Sequence, residues 1–420
     1  MNNRRLLLHI PVVLFSAIWV TVIPLYLLDP YNFPSLSFNS WLTIYASHIS
    51  LVLGYYLLHV SYLPTLKFGA SVDKYYISFE EAGFSKVTLV LSIIPLIGSI
   101  IAFNMIIDML GGIENYFFRP LYARHAIVEF QRGTLANWSL GFSFTNYMIS
   151  VGYLTSILGG ITFSFDSRRR WIGLLPLIIG LLSSLVFLKR YAFIQSSTFW
   201  MFSYLFTVLF SESSVRKKLI RRFFRMSVIM LSVFLVFVIT LLVYRASQEN
   251  KIFDFIFESI YSYFVGGVGA FHNLIELDLP LTYGTTTFRS LFKWLDRIKL
   301  WQLDNIVGSQ LGFTKVGSQY LNTYTYLYSI YRDYGFIGSM IFSFSFGMLT
   351  RFSLEKLFMK YSLMRLFWVV TFSFTLLMSF YSFFFDSLTS IILWAIMLYY
   401  IEKYILANNL IKYYSPRNGV

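Results

Sequence analysis

"VRKKLIRRFFRMSVIMLSVFLVFVITLLVY", residues Val215–Tyr244, joins six basic side chains to a run of 19 residues without a charge. An apolar run of this length crosses the hydrocarbon core of a bilayer when it is helical. The basic cluster before it indicates the cytoplasmic side, where Lys and Arg are retained. The stretch therefore predicts a transmembrane helix that leaves the cytoplasm at its N-terminal end.

The composition of the whole chain agrees with this prediction. Of the 420 residues, 57% are hydrophobic and 13% are charged, and the mean hydropathy is +0.63. Such a chain is far more apolar than a soluble domain. The absence of cysteine excludes disulfides and thiolate metal sites. We predict an all-α, polytopic membrane protein in which residues 1–420 form a single integral membrane domain.

Ten apolar runs are long enough to be predicted as membrane spans. They are Leu6–Leu28, Trp41–Leu63, Val87–Leu110, Gly141–Phe165, Trp171–Leu188, Tyr191–Phe210, Met226–Tyr244, Tyr334–Thr350, Leu363–Phe383 and Ser387–Tyr404. With both termini in the cytoplasm, the inside segments hold 21 Lys/Arg and 7 acidic residues, and the outside segments hold 13 of each. All the excess positive charge then lies on one side, which predicts this orientation.

The largest outside segment, 245–321, is predicted to be a periplasmic loop between the seventh and eighth spans. It contains "KIFDFIFESIYSYFVGGVGAFHNLI" (251–275) and "TTTFRSLFKWLDRIKLWQ" (285–302). Both place apolar residues at helical spacing, which predicts two amphipathic helices at the membrane interface. The glycines of "GGVGAF" (266–271) predict a flexible joint.

Basic residues left on the outside are not explained by topology and suggest anion binding. On the second amphipathic helix, Arg289, Lys293 and Arg297 share one face, which suits an anionic lipid headgroup. Lys189 and Arg190 lie in "FLKRYAF" (187–193), a short turn between two spans, at the depth of a lipid phosphate. Contact with ordinary phospholipid is the alternative for both groups.

Four segments resemble a known family. They are "NTYTYLYSIYRDYGFIG" (322–338), "GGIENYFFR" (111–119), "VGGVGAF" (265–271) and "YGTTTFR" (283–289). Together with the large external loop and the Lys-Arg turn, they resemble the bacterial O-antigen and capsule repeat-unit polymerases of the Wzy type.

The resemblance implies a GT-C-like, inverting glycosyltransferase without metal or cofactor. It would transfer a growing glycan from undecaprenyl diphosphate to a new lipid-linked unit on the periplasmic side of the inner membrane. The implied partners are undecaprenyl-diphosphate-linked oligosaccharides, membrane lipids and a chain-length regulator protein, with no nucleic acid.

The resemblance also suggests roles for individual residues. Arg190 and Arg289 would clamp the diphosphate, because guanidinium groups stabilise its developing negative charge. Asp333 and His272 are the other catalytic candidates. The further substrate-binding candidates are Arg119, Arg124, Lys189, Lys293, Tyr283, Tyr324 and Arg332. The general base stays open among His272, Glu276, Glu258, Asp333 and Tyr324. In a structural alternative, Asp333 caps its helix or pairs with Arg332.

Other functions share much of this pattern. An O-antigen ligase would have the same fold, but the related ligases place a histidine in the stretch that resembles 322–338, where this chain has none. A lipid-linked oligosaccharide flippase is predicted to have ionisable residues throughout its spans and two related halves. A non-enzymatic scaffold is the third alternative.

Overall fold

The computed structural model is helical along most of the chain that it describes. It describes residues 8–62, 76–79, 81–119, 122–127, 140–165, 168–211, 213–246, 252–300, 314–317, 319–321, 324–382, 384–408 and 411–414. Its helices are α1 (Ile10–Leu28), α2 (Phe38–Tyr62), α3 (Glu81–Leu110), α4 (Ile113–Phe118), α5 (Leu140–Phe165), α6 (Arg170–Val186), α7 (Tyr191–Val208), α8 (Ser213–Ala246), α9 (Ile252–Glu276), α10 (Arg289–Arg297), α11 (Tyr326–Met359), α12 (Leu363–Leu377) and α13 (Leu388–Ala407).

The chain is a multi-pass membrane protein. Each of the ten predicted spans overlaps a helix, although α12 ends at Leu377, before the end of the predicted span Leu363–Phe383. Of these helices, α1, α3, α5, α8, α11 and α13 are long and apolar enough to cross a membrane. α6 and α12 are apolar but shorter, and α2 and α7 are more polar. The helices are therefore confirmed, while the count of ten spans stays a prediction.

The chain divides into two compact units that alternate along the sequence. Unit one contains residues 1–72 and 257–395, and unit two contains residues 73–256 and 396–420. The prediction of a single domain over 1–420 stays a prediction. The segment 245–321, predicted as a periplasmic loop, contains α9 and α10, so its two predicted amphipathic segments are helical.

Helix α9 corrects one prediction, because it continues through the glycines of "GGVGAF" without a joint. A Cβ atom added to Gly267 would lie 2.8 Å from the carbonyl oxygen of Phe380, and one added to Gly269 would lie 2.8 Å from Val316 Cγ1. These distances are shorter than van der Waals contact. The glycines therefore serve close packing within unit one.

Helices α2 and α11 pack against each other in unit one around a buried ion pair. Arg351 Nε lies 2.6 Å from Glu355 Oε1 one turn along α11, and the guanidinium group lies over the ring of Tyr55 from α2. Pairing reduces the cost of placing these charges inside the protein.

In unit two, α3 packs against α5 and α6 through small hydroxyl side chains as well as apolar ones. The hydroxyl groups of Thr88 and Thr162 lie 2.8 Å apart, and those of Ser99 and Ser183 lie 2.9 Å apart. Such pairs hold helices together where water is excluded.

Two short antiparallel strand pairs were missed by the all-α prediction. In unit two, β1 (Tyr76–Phe79) pairs with β4 (Ile411–Tyr414); in unit one, β2 (Thr314–Val316) pairs with β3 (Gln319–Leu321). A three- or four-residue strand has too little periodicity to be recognised in sequence.

Candidate functional site

A loop formed by residues 282–288 packs against the first turns of α11 in unit one. The N–H group of Thr282 donates to the carbonyl of Arg332 at 3.1 Å, and that of Tyr283 donates to the carbonyl of Asp333 at 3.2 Å. These carbonyls lie just before Gly335, where φ is 67° and ψ is −163°. This break in helical geometry leaves carbonyls available to partners outside the helix.

The carboxylate of Asp333 is the centre of this loop and is fully buried. Oδ1 accepts hydrogen bonds from the N–H of Thr286 at 3.0 Å and from the hydroxyl of Thr282, and Oδ2 accepts one from the N–H of Thr287 at 2.5 Å. A buried carboxylate requires such donors, because burial removes its water. Asp333 therefore holds the loop in place, and a catalytic role for it stays a prediction.

Arg332 makes a separate contact on the same turn of α11. Its Nη1 group donates to the carbonyl of Pro280, just before the loop. Arg332 and Asp333 thus bind two parts of one connection, residues 280–287. The sequence interpretation considered a mutual ion pair or a helix cap and did not foresee that Asp333 would bind the loop and that Arg332 would bind the carbonyl of Pro280 before it.

Arg289 follows the loop directly and is the first residue of α10. Its side chain is half-buried, whereas Lys293 is exposed one turn later and Tyr283 is 77% exposed on the loop. Helix α10 is anchored at Ser290, whose hydroxyl accepts a hydrogen bond from the N–H of Thr389 at 3.1 Å. The loop and its anchors therefore fix the start of the helix from which Arg289 projects.

His272 lies on α9, and the described contacts of its ring are to residues near the start of α2. Its Nδ1 atom accepts a hydrogen bond from the N–H of Ser37 at 3.4 Å and lies 2.9 Å from the hydroxyl of Ser40. Burial lowers the pKa of His272, while the carboxylate of Glu276, 3.8 Å from Nδ1, acts in the opposite direction. These contacts favour a neutral ring with its proton on Nε2.

Tyr324 is half-buried just before α11, and its ring stacks on that of Tyr328 with centroids 4.1 Å apart. Burial raises the pKa of the Tyr324 hydroxyl above its ordinary value. Because the phenolate is disfavoured there, this hydroxyl is better suited to hydrogen bonding than to accepting a proton.

Unit two contains the second group of predicted cations, in the turn 187–190 between α6 and α7. Leu188 has a φ of 50°, and the turn is closed by hydrogen bonds from Leu188 N–H to Leu185 O at 3.0 Å and from Lys189 N–H to Ser184 O at 2.9 Å. This is a Schellman motif with leucine in the position that glycine usually occupies. The short turn that the sequence predicted is confirmed, and both Lys189 and Arg190 are half-buried in it.

The segment after α3 packs against this turn. The hydroxyl of Tyr116 donates to the carbonyl of Leu185, and Arg124 Nη1 lies 3.5 Å from the carbonyl oxygen of Phe187. Arg119 is exposed at the end of α4. Arg124 is thus brought next to the Lys189–Arg190 turn, and the negative end of the α6 dipole favours cations there.

The site residues predicted from sequence therefore fall into two groups. Unit one contains Arg289, Asp333, His272, Lys293, Tyr283, Tyr324 and Arg332, and unit two contains Arg119, Arg124, Lys189 and Arg190. The sequence analysis missed Thr282, Thr286 and Thr287 as donors to Asp333, and Tyr116 as a donor to Leu185. The threonine run of "YGTTTFR" was the available signal, since such residues often hydrogen-bond locally.

The fold thus defines a multi-pass helical membrane protein with basic residues ordered at two helix junctions. Comparisons of the chain with protein-family models, curated proteins and solved structures found no match.

Proposed function

We propose that the chain is an inverting glycosyltransferase that polymerises lipid-linked glycan repeat units, as the Wzy-type resemblance suggests. The growing glycan would move from its undecaprenyl diphosphate carrier to a hydroxyl of a new lipid-linked unit. This places the protein in the bacterial inner membrane, with both termini in the cytoplasm and the active site facing the periplasm.

One observation carries the proposal. Two of the motifs on which the resemblance rests, "YGTTTFR" and the "YRDYG" part of residues 322–338, are joined by the hydrogen bonds of Asp333. The hydrogen-bonded residues are 46 and 47 positions apart in sequence, so two motifs that were identified separately are in direct contact in the structure. The effect of this contact is to fix the start of α10 and hence Arg289.

The chemistry needs preorganised cations more than it needs a metal. Departure of a polyprenyl diphosphate builds negative charge on phosphate oxygens, and a fixed guanidinium group stabilises that charge. Donor and acceptor each carry a diphosphate. Arg289 in unit one is one candidate for binding such a group, and Arg190, Lys189 and Arg124 in unit two are the others.

The remaining candidates take supporting roles. Asp333 and Arg332 act as positioning residues for the loop, while Arg119, Lys293, Tyr283 and Tyr324 are candidate contacts to glycan or headgroup. His272 is the candidate base, and it would use Nδ1, which now accepts from Ser37. Binding of the acceptor would therefore have to displace that contact.

The direct test is glycan synthesis by the purified full chain. Wild-type protein is incubated in detergent with undecaprenyl-diphosphate-linked repeat units, without nucleotide sugar, and products are separated by length. We expect a ladder of longer glycans. Arg190→Ala and Arg289→Ala are each expected to lower the rate about 100-fold or more, as loss of a preorganised donor does elsewhere. Lys217→Ala and Lys360→Ala, at exposed lysines of units two and one, are the controls.

The outcomes separate the alternatives. Wild-type ladders from both arginine variants would remove the diphosphate clamp from the proposal. In a deletion strain, loss of polymer with single-unit lipopolysaccharide retained supports a polymerase. Complete loss of surface glycan indicates a flippase or a ligase instead.

A further inference from the structure

Unit two contains a cavity beside the Lys189–Arg190 turn that no role has yet explained. Its volume is about 200 Å³, and it lies between the N-terminal half of α5, the end of α6 and the start of α7. Sites for drug-sized ligands are larger, about 300–1,000 Å³. A cavity of this size suits a single ring.

The cavity wall combines hydrogen-bonding groups with flat apolar surfaces. Its lining residues include Asn146 and Ser150 from α5, which carry an amide and a hydroxyl group, and Tyr153 and Tyr191, which carry phenol rings. Phe187 adds a further ring. Sugars present hydroxyl groups at their edges and C–H groups on their faces, so amides, hydroxyls and aromatic rings together suit them.

A cation lies at one edge of this cavity. Lys189 and Phe187 both line the cavity, and Arg124 approaches the carbonyl of Phe187. A ring in the cavity would therefore have positive charge beside it, where an attached phosphate could be bound.

We propose that this cavity is a subsite for one sugar ring, the ring attached directly to the diphosphate that Lys189 and Arg124 would bind. The inference rests on the proposed function and specifies which part of the substrate unit two recognises. An isoprenoid segment is the competing occupant, but a lining that includes the polar residues Asn146, Ser150 and Lys189 favours a polar ligand over a hydrocarbon chain.

The test measures binding and needs no polymerisation. Purified full-length protein is titrated by native mass spectrometry with undecaprenyl diphosphates carrying glucose, galactose, N-acetylglucosamine or N-acetylgalactosamine, and with the same lipid without a sugar. At least one sugar-bearing lipid is expected to bind about tenfold more tightly than the bare lipid, the effect of one or two net hydrogen bonds.

Two variants locate that preference. Ala192→Phe adds a ring at a residue that lines the cavity and is expected to abolish the preference for the sugar, while Ala407→Phe adds the same ring at an exposed position of α13 and is expected to retain it. Asn146→Leu, compared with Tyr147→Leu at its 42% exposed neighbour, repeats the comparison should Ala192→Phe fail to fold. Lys189→Ala is expected to weaken the sugar-bearing and bare lipids equally.

Equal affinity of the wild type for all five lipids would overturn the inference, and so would an undiminished sugar preference in Asn146→Leu. Either result leaves the polymerase proposal standing if glycan ladders form. Conversely, a sugar preference lost in Ala192→Phe, with no ladder from the wild type, supports the subsite and contradicts the polymerase.

Discussion

The two ordered groups of cations in this protein are held by different means. In unit one, the loop before Arg289 has a buried carboxylate, Asp333, at its centre, which accepts hydrogen bonds from three residues and adds to two backbone hydrogen bonds between the loop and α11. In unit two, the Lys189–Arg190 turn depends on several backbone hydrogen bonds at the end of α6 and on Leu188, which is buried in an apolar cluster.

This difference predicts unequal sensitivity to mutation. A loop organised around one charge loses several interactions when that charge is removed, and its donors are then left unsatisfied inside the protein. A helix end closed by backbone hydrogen bonds keeps most of them when a single side chain changes. The cation site of unit one should therefore be the more fragile of the two.

The largest effect is expected from Asp333→Asn. The amide retains one oxygen acceptor, but its NH₂ group replaces the other oxygen. That NH₂ group then faces an N–H donor of the loop, and neither donor has an acceptor. We expect a loss of about 3 kcal/mol of stability, since hydrogen bonds to charged groups are worth about 1.5–3 kcal/mol each. Thermal unfolding in detergent measures it. Asp278→Asn, at an exposed carboxylate, is the control, and equal unfolding temperatures for the two variants would contradict the role of Asp333.

Gly335→Ala should have the next largest effect. Gly335 combines φ 67° with ψ −163°, a conformation that is essentially restricted to glycine. We expect a loss of about 1–3 kcal/mol, measured by the same unfolding assay. Gly152→Ala, in α5 and without a positive φ, is the control, and a Cβ atom added there would lie 3.3 Å from Pro95 Cβ, so any effect of that contact counts against the control and not in favour of the prediction. An unchanged unfolding temperature for Gly335→Ala would show that the kink is not needed for the fold.

Tyr116→Phe probes the turn of unit two and should have a smaller effect. It removes the donor to the carbonyl of Leu185, which still accepts from the N–H of Leu188. We expect a loss of about 0.5–1.5 kcal/mol. Tyr122→Phe, at a tyrosine that is 53% exposed, serves as the control. A loss as large as that of Asp333→Asn would contradict the view that the turn is held by many contacts.

The smallest effect is expected from the titration of His272. Burial lowers its pKa below the ordinary value of 6.5, so the unfolded chain binds the proton more readily. The stability that the neutral ring contributes is complete above about pH 6.5 and is lost as the pH falls through the pKa of the folded protein. In His272→Asn, Oδ1 replaces the Nδ1 acceptor. The unfolding temperatures of the wild type and this variant should converge as the pH falls from about 7.5 to about 5.5. Parallel curves would show that His272 does not titrate in this way.

Much of the helical framework could be predicted from sequence, but the organisation of the site could not. The apolar runs at Met226–Tyr244 and Val87–Leu110 are signals contained within single helices, and helices lie there. An amphipathic helix within 285–302 was also predictable, because polar and apolar residues recur there at helical spacing, but its bounds at Arg289 and Arg297 were not. By contrast, the role of Asp333 depends on residues 46–51 positions away, and no local pattern contains that pairing.

The sequence by itself determined that this is a multi-pass helical protein. A helix that crosses a bilayer satisfies its backbone hydrogen bonds internally, and long apolar runs are sufficient to predict where such helices lie. Only the tertiary structure decided that the glycines of α9 are packing positions, that α11 bends at Gly335 and that Asp333 binds the loop before Arg289. Each of these features depends on contacts between residues that are distant in sequence, because close packing and buried hydrogen bonds form only when those segments come together.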